Sequence, residues 1–309
     1  MGNVIGHRAS AAVLGSVLLV MNAAACGAGA GNGSADRPRE PTPAETALLD
    51  EAQEELVQRC MKQRGFRYWP APPSEPDELK DFPYVIDDMA WARSHGYGGD
   101  LQQRAEDERR NDPTVAYVKR LSPARQQDYV AARTGDGGKS LEVTAPNGLD
   151  IGQNSTGCLA EAEGTLYGDF REWFRVSVIT GNLPDHSVDI RRDPRFRGAV
   201  ESWSACMAEK GHPYKSPSHL RQALEERTGD LSRGEAHRTE VRLATAEASC
   251  ARSTPLSATV RSLTRHYDNV VREKYGSDID TKRRMQLAAL KRAREITGNT
   301  TRDPAERRS

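Results

Sequence analysis

In this 309-residue chain, cysteine is the residue type whose spacing gives the clearest indication of its chemistry. Cys60 and Cys206 begin matching segments, in which Met, a cation, Gly and Tyr follow the cysteine at the same distances. A cysteine at a fixed distance from a helix-ending glycine favours two similar helices, each anchored by a disulfide. Of the three connectivities that four cysteines allow, the repeat favours bridges within each unit, Cys60–Cys158 and Cys206–Cys250.

Other states of these cysteines stay open at this point. Crossed bridges would break the correspondence between the repeats, and buried free thiols would suit a cytosolic protein better than an exported one. Zinc is disfavoured, because no cysteine lies two to four residues from another cysteine or a histidine. His212 and His219 have no third ligand nearby, so we interpret them as surface or loop residues. We therefore predict no metal site and no cofactor.

The N-terminus has the pattern of a bacterial export signal. Arg8 supplies a positive charge, residues 11–21 form an apolar run too short to span a bilayer, and Ala23-Ala24-Ala25-Cys26 follows. These four residues resemble a lipobox, with Ala23 where leucine is usual, so we predict lipidation of Cys26, with palmitate as an expected chain. Ordinary signal peptidase would cut the same bond and leave Cys26 as a free thiol. Lipidation explains the odd cysteine count, and we favour it.

Helical periodicity and capping residues dominate the remainder. Thr42, Pro43 and Glu45 predict the start of a helix that ends at Gly65, and Asp193 with Pro194 predicts a second that ends at Gly211. We expect a mostly α-helical fold of two disulfide-anchored helical units with long Pro- and Gly-rich loops and a minor β component at 140–144. The predicted organisation is a signal peptide at 1–25, a lipidated flexible tether at 26–43, an acidic helical unit at 44–190, a basic helical unit at 191–298 and a disordered tail at 299–309.

Residues 66–99 interrupt the helical pattern of the acidic unit. They hold five prolines and seven of the 18 aromatic residues, so we predict an irregular loop. Exposed rings beside prolines can stack on sugars or peptides, whereas rings that face inward would only cover the core. The candidate binding residues are Trp69, Phe82, Tyr84 and Trp91.

Charge divides the chain, although the total is zero. Residues 26–190 carry a net charge of −10, and residues 191–309 carry +9. The basic half could contact anionic lipid headgroups or an anionic wall polymer, or the two halves could dock on each other. We predict no nucleic-acid partner, because no DNA- or RNA-binding motif accompanies the charge.

The sequence contains no common catalytic motif. Ser-x-x-Lys, Gly-x-Ser-x-Gly, Gly-x-x-x-x-Gly-Lys and His-Glu-x-x-His are all missing. Asp87 and Asp88 could form the carboxylate pair of a cell-wall or peptide hydrolase, or they could lie in a solvated turn. We therefore predict a binding or scaffolding role without catalytic residues, with the hydrolase as the alternative.

Four segments together resemble a family of uncharacterised cell-surface lipoproteins of actinobacteria, of the Streptomyces type. They are the lipobox, Cys-Met-x-x-Lys-Gly-x-x-Tyr at 206–214, the Gly-Cys-Leu-Ala-Glu-Ala segment at 157–168 and Ala-x-Ala-Ser-Cys at 246–250. The resemblance covers most of residues 50–295. Since that family has no established activity, it implies only disulfides and a lipid anchor on the outer face of the cell membrane. The expected partners are the membrane and an anionic envelope polymer or envelope protein.

Overall fold

The fold is described from a computed structural model for residues 37–72 and 80–298. The predicted signal peptide, Cys26, most of the tether and the polar tail lie outside these residues. The described residues from 38 onwards belong to one compact body, and the two disulfide-bridged units described below are parts of it. None of the described helices is both long and apolar enough to cross a membrane.

Helices make up most of the described residues, which confirms the predicted fold class. The helices and strands in this part of the chain are α1 (Pro43–Gln63), α2 (Met89–His95), α3 (Gly99–Arg110), α4 (Pro113–Val118), α5 (Pro123–Thr134), β1 (Ser140–Thr144), β2 (Asp150–Asn154), α6 (Cys158–Tyr167), α7 (Phe170–Gly181), α8 (Ser187–Arg192), α9 (Pro194–Glu209), α10 (Pro217–Thr228), α11 (Arg233–Ser253) and α12 (Leu256–Ile296).

The predicted helix starts are confirmed by their caps. At the start of α1, the Thr42 hydroxyl accepts from the Glu45 N–H at 3.2 Å, and the Glu45 carboxylate accepts from the Thr42 N–H at 2.8 Å. At the start of α9, the Asp193 carboxylate accepts from the Arg195 N–H at 2.8 Å. These side chains satisfy N–H groups that have no partner within the first helical turn.

One helix lies within the stretch predicted to be irregular throughout. The prolines end at Pro83, and the Asp88 side chain then accepts from the N–H groups of Ala90 and Trp91 at 2.9 and 3.0 Å. This cap starts the seven-residue helix α2. The loop is therefore shorter than predicted, because helix formation resumes as soon as a capping residue follows the proline-rich run.

The short strand at 140–144 is also confirmed, as one half of a β-hairpin. It pairs antiparallel with β2, so that Leu141 lies opposite Gln153 and Val143 lies opposite Ile151. Leu141 packs in a small apolar cluster with Phe174 of α7. Helix α7, which is helical from Phe170 to Gly181, thereby holds the hairpin.

Both predicted disulfides are confirmed. Cys60 of α1 is bonded to Cys158 of α6 with 5.6 Å between their Cα atoms, and Cys206 of α9 is bonded to Cys250 of α11 at 5.7 Å. Crossed bridges and free thiols are thereby excluded for these four residues.

The sequence repeat is also a repeat of local structure. The Phe66 N–H donates to the Met61 carbonyl at 2.9 Å, and the His212 N–H donates to the Met207 carbonyl at 2.8 Å. These bonds end α1 and α9 in the same way, as Schellman motifs with glycine in the left-handed conformation.

A further pair of hydrogen bonds continues the repeat beyond the helix ends. The Gln58 amide donates to the Tyr68 carbonyl at 3.0 Å, and the Ser204 hydroxyl donates to the Tyr214 carbonyl at 2.8 Å. In both units the donor is two residues before the cysteine and the tyrosine is eight residues after it. In each unit, the chain that leaves the helix therefore folds back against the equivalent turn near the end of that helix.

The 41-residue helix α12 connects the two disulfide-bridged units. Near its start, Leu256 and Leu263 are buried with Trp203 of α9, whereas Leu290, near its end, is buried with Leu49 of α1. At 1.5 Å per residue, the helix is about 60 Å long. One continuous helix therefore takes part in the apolar cores of both units.

Ion pairs join the acidic and basic halves. Arg175 pairs with Asp278 at 2.7 Å, and Arg261 pairs with Asp87 at 2.8 Å. Only the second pair joins a cation of the basic half to an anion of the acidic half, so it is the one that offsets their opposite net charges.

Candidate functional site

The four predicted binding residues line three separate cavities. Trp69 is 37% exposed and borders the largest of them, whereas Trp91 is only 6% exposed. The rings of Phe82 and Trp91 lie 4.9 Å apart and line a smaller cavity. Tyr84 lines a third cavity, against Phe196. The aromatic segment therefore does not form one continuous stacking surface, and Trp69 is the most accessible of the four rings.

The cavity beside Trp69 is the candidate functional site, and we refer to it as the tryptophan groove. It has a volume of about 850 Å³, within the usual range for small-molecule sites. Its walls come from the chain after α1 and from helices α1, α3, α4 and α5. The lining residues used below are Glu54, Tyr68, Trp69, Thr114, Tyr129 and Arg133.

Backbone hydrogen bonds to α4 position Trp69. Its N–H donates to the Thr114 hydroxyl at 3.0 Å, and the same hydroxyl lies 3.3 Å from the Trp69 carbonyl, to which it can donate. Asp112 caps α4 by accepting from the Thr114 N–H at 2.7 Å. The ring of Trp69 meets that of Tyr117 edge to face, with 5.9 Å between the centroids. The backbone of Trp69 is therefore fixed against α4, and its indole packs against Tyr117 at the groove.

Glu54 of α1 organises the opposite side of the groove. One carboxylate oxygen accepts from the Tyr68 hydroxyl at 2.7 Å and from the Ala71 N–H at 3.1 Å. Burial, reinforced by the Glu54 carboxylate, raises the pKa of Tyr68. Tyr68 therefore stays protonated and donates to Glu54, and this bond holds the proline-rich segment against α1.

Two polar groups of α5 line the groove without a partner. Neither the Tyr129 hydroxyl nor Nε of Arg133 has a hydrogen-bond partner among the described residues, and both atoms are buried. Tyr129 is only 5% exposed and packs edge to face on Phe66 at 5.4 Å. Burial raises the pKa of Tyr129, so its hydroxyl is a donor at neutral pH. Since an unpaired buried donor is costly, these two groups point to a ligand that supplies an acceptor.

The carboxylates considered for a hydrolase have other roles in the structure. Asp88 caps α2 and pairs with Lys80 at 2.9 Å, and the Trp91 N–H is the main cause of its lowered pKa. Asp87 contacts Ser257 and Arg261 of α12. A general acid needs a raised pKa, so Asp88 has the opposite property.

The described residues include one group of side chains close enough together to suggest a metal ion: Cys60, Cys158 and Glu161. The two sulfur atoms are joined in the first disulfide, so they do not supply the thiolates that a metal would need. The group of Cys60, Cys158 and Glu161 is therefore a consequence of the bridge and not a metal centre.

Of the two histidines considered as ligands, His219 accepts a hydrogen bond from the Lys215 N–H at 3.4 Å.

Four further residues line the same groove as Trp69 and were not predicted from the sequence: Glu54, Thr114, Tyr129 and Arg133. They come from three different helices, and none belongs to a motif. The available signal was the four-residue spacing of Tyr129 and Arg133, which places both on one face of a helix. Nothing in the sequence indicated that this face would meet the proline-rich segment.

Compared with protein-family models, with curated proteins and with solved structures, the chain matches none. The resemblance to actinobacterial lipoproteins therefore remains a prediction, and function is argued from the groove itself.

Proposed function

We propose that this chain is a binding protein on the outer face of the cell membrane, anchored by lipid on Cys26, whose tryptophan groove binds an envelope-derived ligand. The observation that carries the proposal is the Tyr129 hydroxyl, a buried donor at the groove with no partner among the described residues. The export pattern and lipobox at the N-terminus support the location.

The groove favours a ligand with a flat or apolar body and an oxygen acceptor. Trp69 offers a partly exposed ring, next to Pro70 and Pro72, on which a sugar or a peptide side chain can stack. Tyr129 and Arg133 offer donors one helical turn apart, which suits a carboxylate or carbonyl oxygen. The ligand class is thus a carboxylate-bearing sugar or peptide fragment of the envelope.

The test is retention of the purified protein on isolated envelope material. Tyr129→Phe removes only the hydroxyl and keeps the ring packed on Phe66, so we expect about tenfold weaker retention. Because the Tyr129 hydroxyl has no hydrogen-bond partner among the described residues, thermal stability should be unchanged or slightly higher. Trp69→Ala should weaken retention at least as much. Tyr275→Phe in α12, away from the groove, is the matched control and should leave retention unchanged.

The opposite pattern would contradict the proposal. If Tyr129→Phe lowers the melting temperature but leaves retention intact, the hydroxyl is a structural group and the groove is not the binding site. Location is tested separately, by mass spectrometry of the N-terminal peptide for acyl chains on Cys26. Release of Cys26→Ser protein from the membrane fraction is the expected functional result.

A further inference from the structure

The repeat places a second groove at the equivalent position of the other unit. This second groove is the cavity lined by Tyr84, with a volume of about 480 Å³, and we call it the arginine groove. Both grooves are lined by the residue six positions before the repeat cysteine, Glu54 or Val200, and by the three residues ten to twelve positions after it, 70–72 or 216–218. The same local architecture therefore builds two grooves with different linings.

Cations outnumber anions in the lining of the arginine groove. Arg191, Arg197 and Arg221 all border it, and Glu201 is the carboxylate among its lining residues. Within the described residues, neither Arg191 nor Arg197 forms an ion pair with a carboxylate. The nearest compensating charge for Arg191 is Asp185, which accepts from the Ser187 hydroxyl to which Arg191 donates. Like charges gathered in one concave site repel each other, so an anion that neutralised them would bind favourably.

Contacts with neighbouring groups position the arginines at the groove. Arg191 donates to the Ser187 hydroxyl at 2.9 Å, and its guanidinium lies 5.6 Å from the centre of the Tyr84 ring. Arg221 lies 3.6 Å from the buried Glu247 carboxylate, while its Nε has no hydrogen-bond partner among the described residues. Donor capacity is therefore left over on a partly immobilised guanidinium.

Aromatic and hydroxyl groups complete the lining. Tyr84 and Phe196 form an apolar wall, with 6.0 Å between their ring centroids. On the other side, the hydroxyls of Ser216 and Ser218 lie 2.9 Å apart at the start of α10, a twelve-residue helix whose N-terminal field is positive. The serine hydroxyls and the helix N-terminus suit an oxyanion, and the apolar wall suits a small organic body attached to it.

We propose that the arginine groove binds a phosphoryl group carried on a small organic body, as in a glycerol phosphate ester or the headgroup of an anionic phospholipid. Guanidinium groups match the oxygens of phosphate, and two or three of them favour its double charge over a single carboxylate. The volume leaves room for the organic body against Tyr84. This site is separate from the tryptophan groove and does not depend on the ligand bound there.

The experiment titrates the purified chain with glycerol 3-phosphate by calorimetry at low salt. A parallel flotation assay uses vesicles with and without phosphatidylglycerol, and all proteins carry Cys26→Ser so that no acyl chain contributes. The groove variant is Arg191→Gln with Arg197→Gln. The matched control is Arg252→Gln with Arg265→Gln, which removes the same charge from exposed positions of the same half.

We expect the groove variant to bind glycerol 3-phosphate at least tenfold more weakly, and the control to change by less than about twofold. Vesicle binding that glycerol 3-phosphate competes away would assign the site to lipid headgroups, whereas binding of the soluble ester alone would assign it to free phosphate esters. Equal losses in both variants would show only general attraction to positive charge and would overturn the proposal. Absence of saturable binding in both assays would overturn it as well. Trp69→Ala should bind the ester normally, which separates this result from the tryptophan groove.

Discussion

The carboxylate of Glu247 accepts from the hydroxyl of Tyr97 at 2.6 Å, although 150 residues separate the two in sequence. Glu247 is fully buried in α11 and also accepts from the Ile86 N–H at 2.9 Å. Burial raises the pKa of Glu247, against the opposing effects of Arg221 and Tyr97. This carboxylate therefore fastens the chain on both sides of α2 to the basic half.

Removal of the Glu247 carboxylate should be among the most destabilising single changes in the chain. Glu247→Ala leaves the Tyr97 hydroxyl and the Ile86 N–H without their acceptor and Arg221 without its ion-pair partner. We expect a loss of about 3–5 kcal/mol in the free energy of unfolding. Tyr97→Phe removes one bond to a charged group and should cost about 1.5–3 kcal/mol. Urea unfolding followed by circular dichroism measures both. Glu226→Ala, an exposed acid on α10, should change stability by less than about 0.5 kcal/mol, and equal effects of the two Glu variants would contradict this account.

The two disulfides should stabilise the protein to a similar degree, with the longer loop contributing slightly more. The bridged residues are 98 apart for Cys60–Cys158 and 44 apart for Cys206–Cys250. The chain-entropy relation gives upper values of about 4.7 and 4.0 kcal/mol for these loops. Paired Cys→Ala variants, unfolded in urea, would measure each contribution. A pair variant as stable as the parent would show that its bridge does not constrain the unfolded chain.

The repeated helix ends predict matched effects of two glycine substitutions. Gly65 and Gly211 have φ angles of 78° and 79°, and an added Cβ would meet no atom within 4 Å at either position. The cost of Gly→Ala is therefore that of the left-handed backbone alone, about 1–2 kcal/mol at each site. Gly198→Ala, in the interior of α9 and equally unobstructed, should instead stabilise by about 0.5–1 kcal/mol. Thermal unfolding of the three variants tests both signs, and a clear difference between the first two would contradict the structural repeat.

The start of α1 should make stability depend on pH in the acid range. The Arg39 guanidinium holds the pKa of Glu45 at about 2, with further help from the Thr42 N–H. Because this value lies below the ordinary 4.5, the stabilisation is fully present above about pH 4.5 and is lost as the pH falls towards 2. Glu45→Gln should therefore be less stable than the parent at pH 6, and the difference should disappear near pH 2. A difference that stays constant across this range would show that the carboxylate charge does not matter.

Local features of the sequence predicted the mostly helical fold, the starts and ends of α1 and α9 and both disulfides. Thr42 with Glu45, and Asp193 with Pro194, act within one helical turn, so their effect can be read without knowledge of the rest of the fold. The disulfide pairing followed from the repeat around Cys60 and Cys206, because equal spacing implies equal local structure. The helix α2 was missed, since five prolines before it suggested an irregular loop and the Asp88 cap was interpreted as part of a turn.

The sequence by itself determined the mostly helical fold, the ends of α1 and α9 and the covalent frame, because caps, periodicity and glycine conformation depend on neighbouring residues. Only the tertiary structure decided which side chains meet. It separated Trp69 from Trp91 and Tyr84 into different cavities, and it brought Tyr129 to face the proline-rich segment. It also joined Tyr97 to Glu247. The physical reason is that burial of apolar faces arranges whole helices, so the polar groups that converge at a groove come from distant parts of the chain.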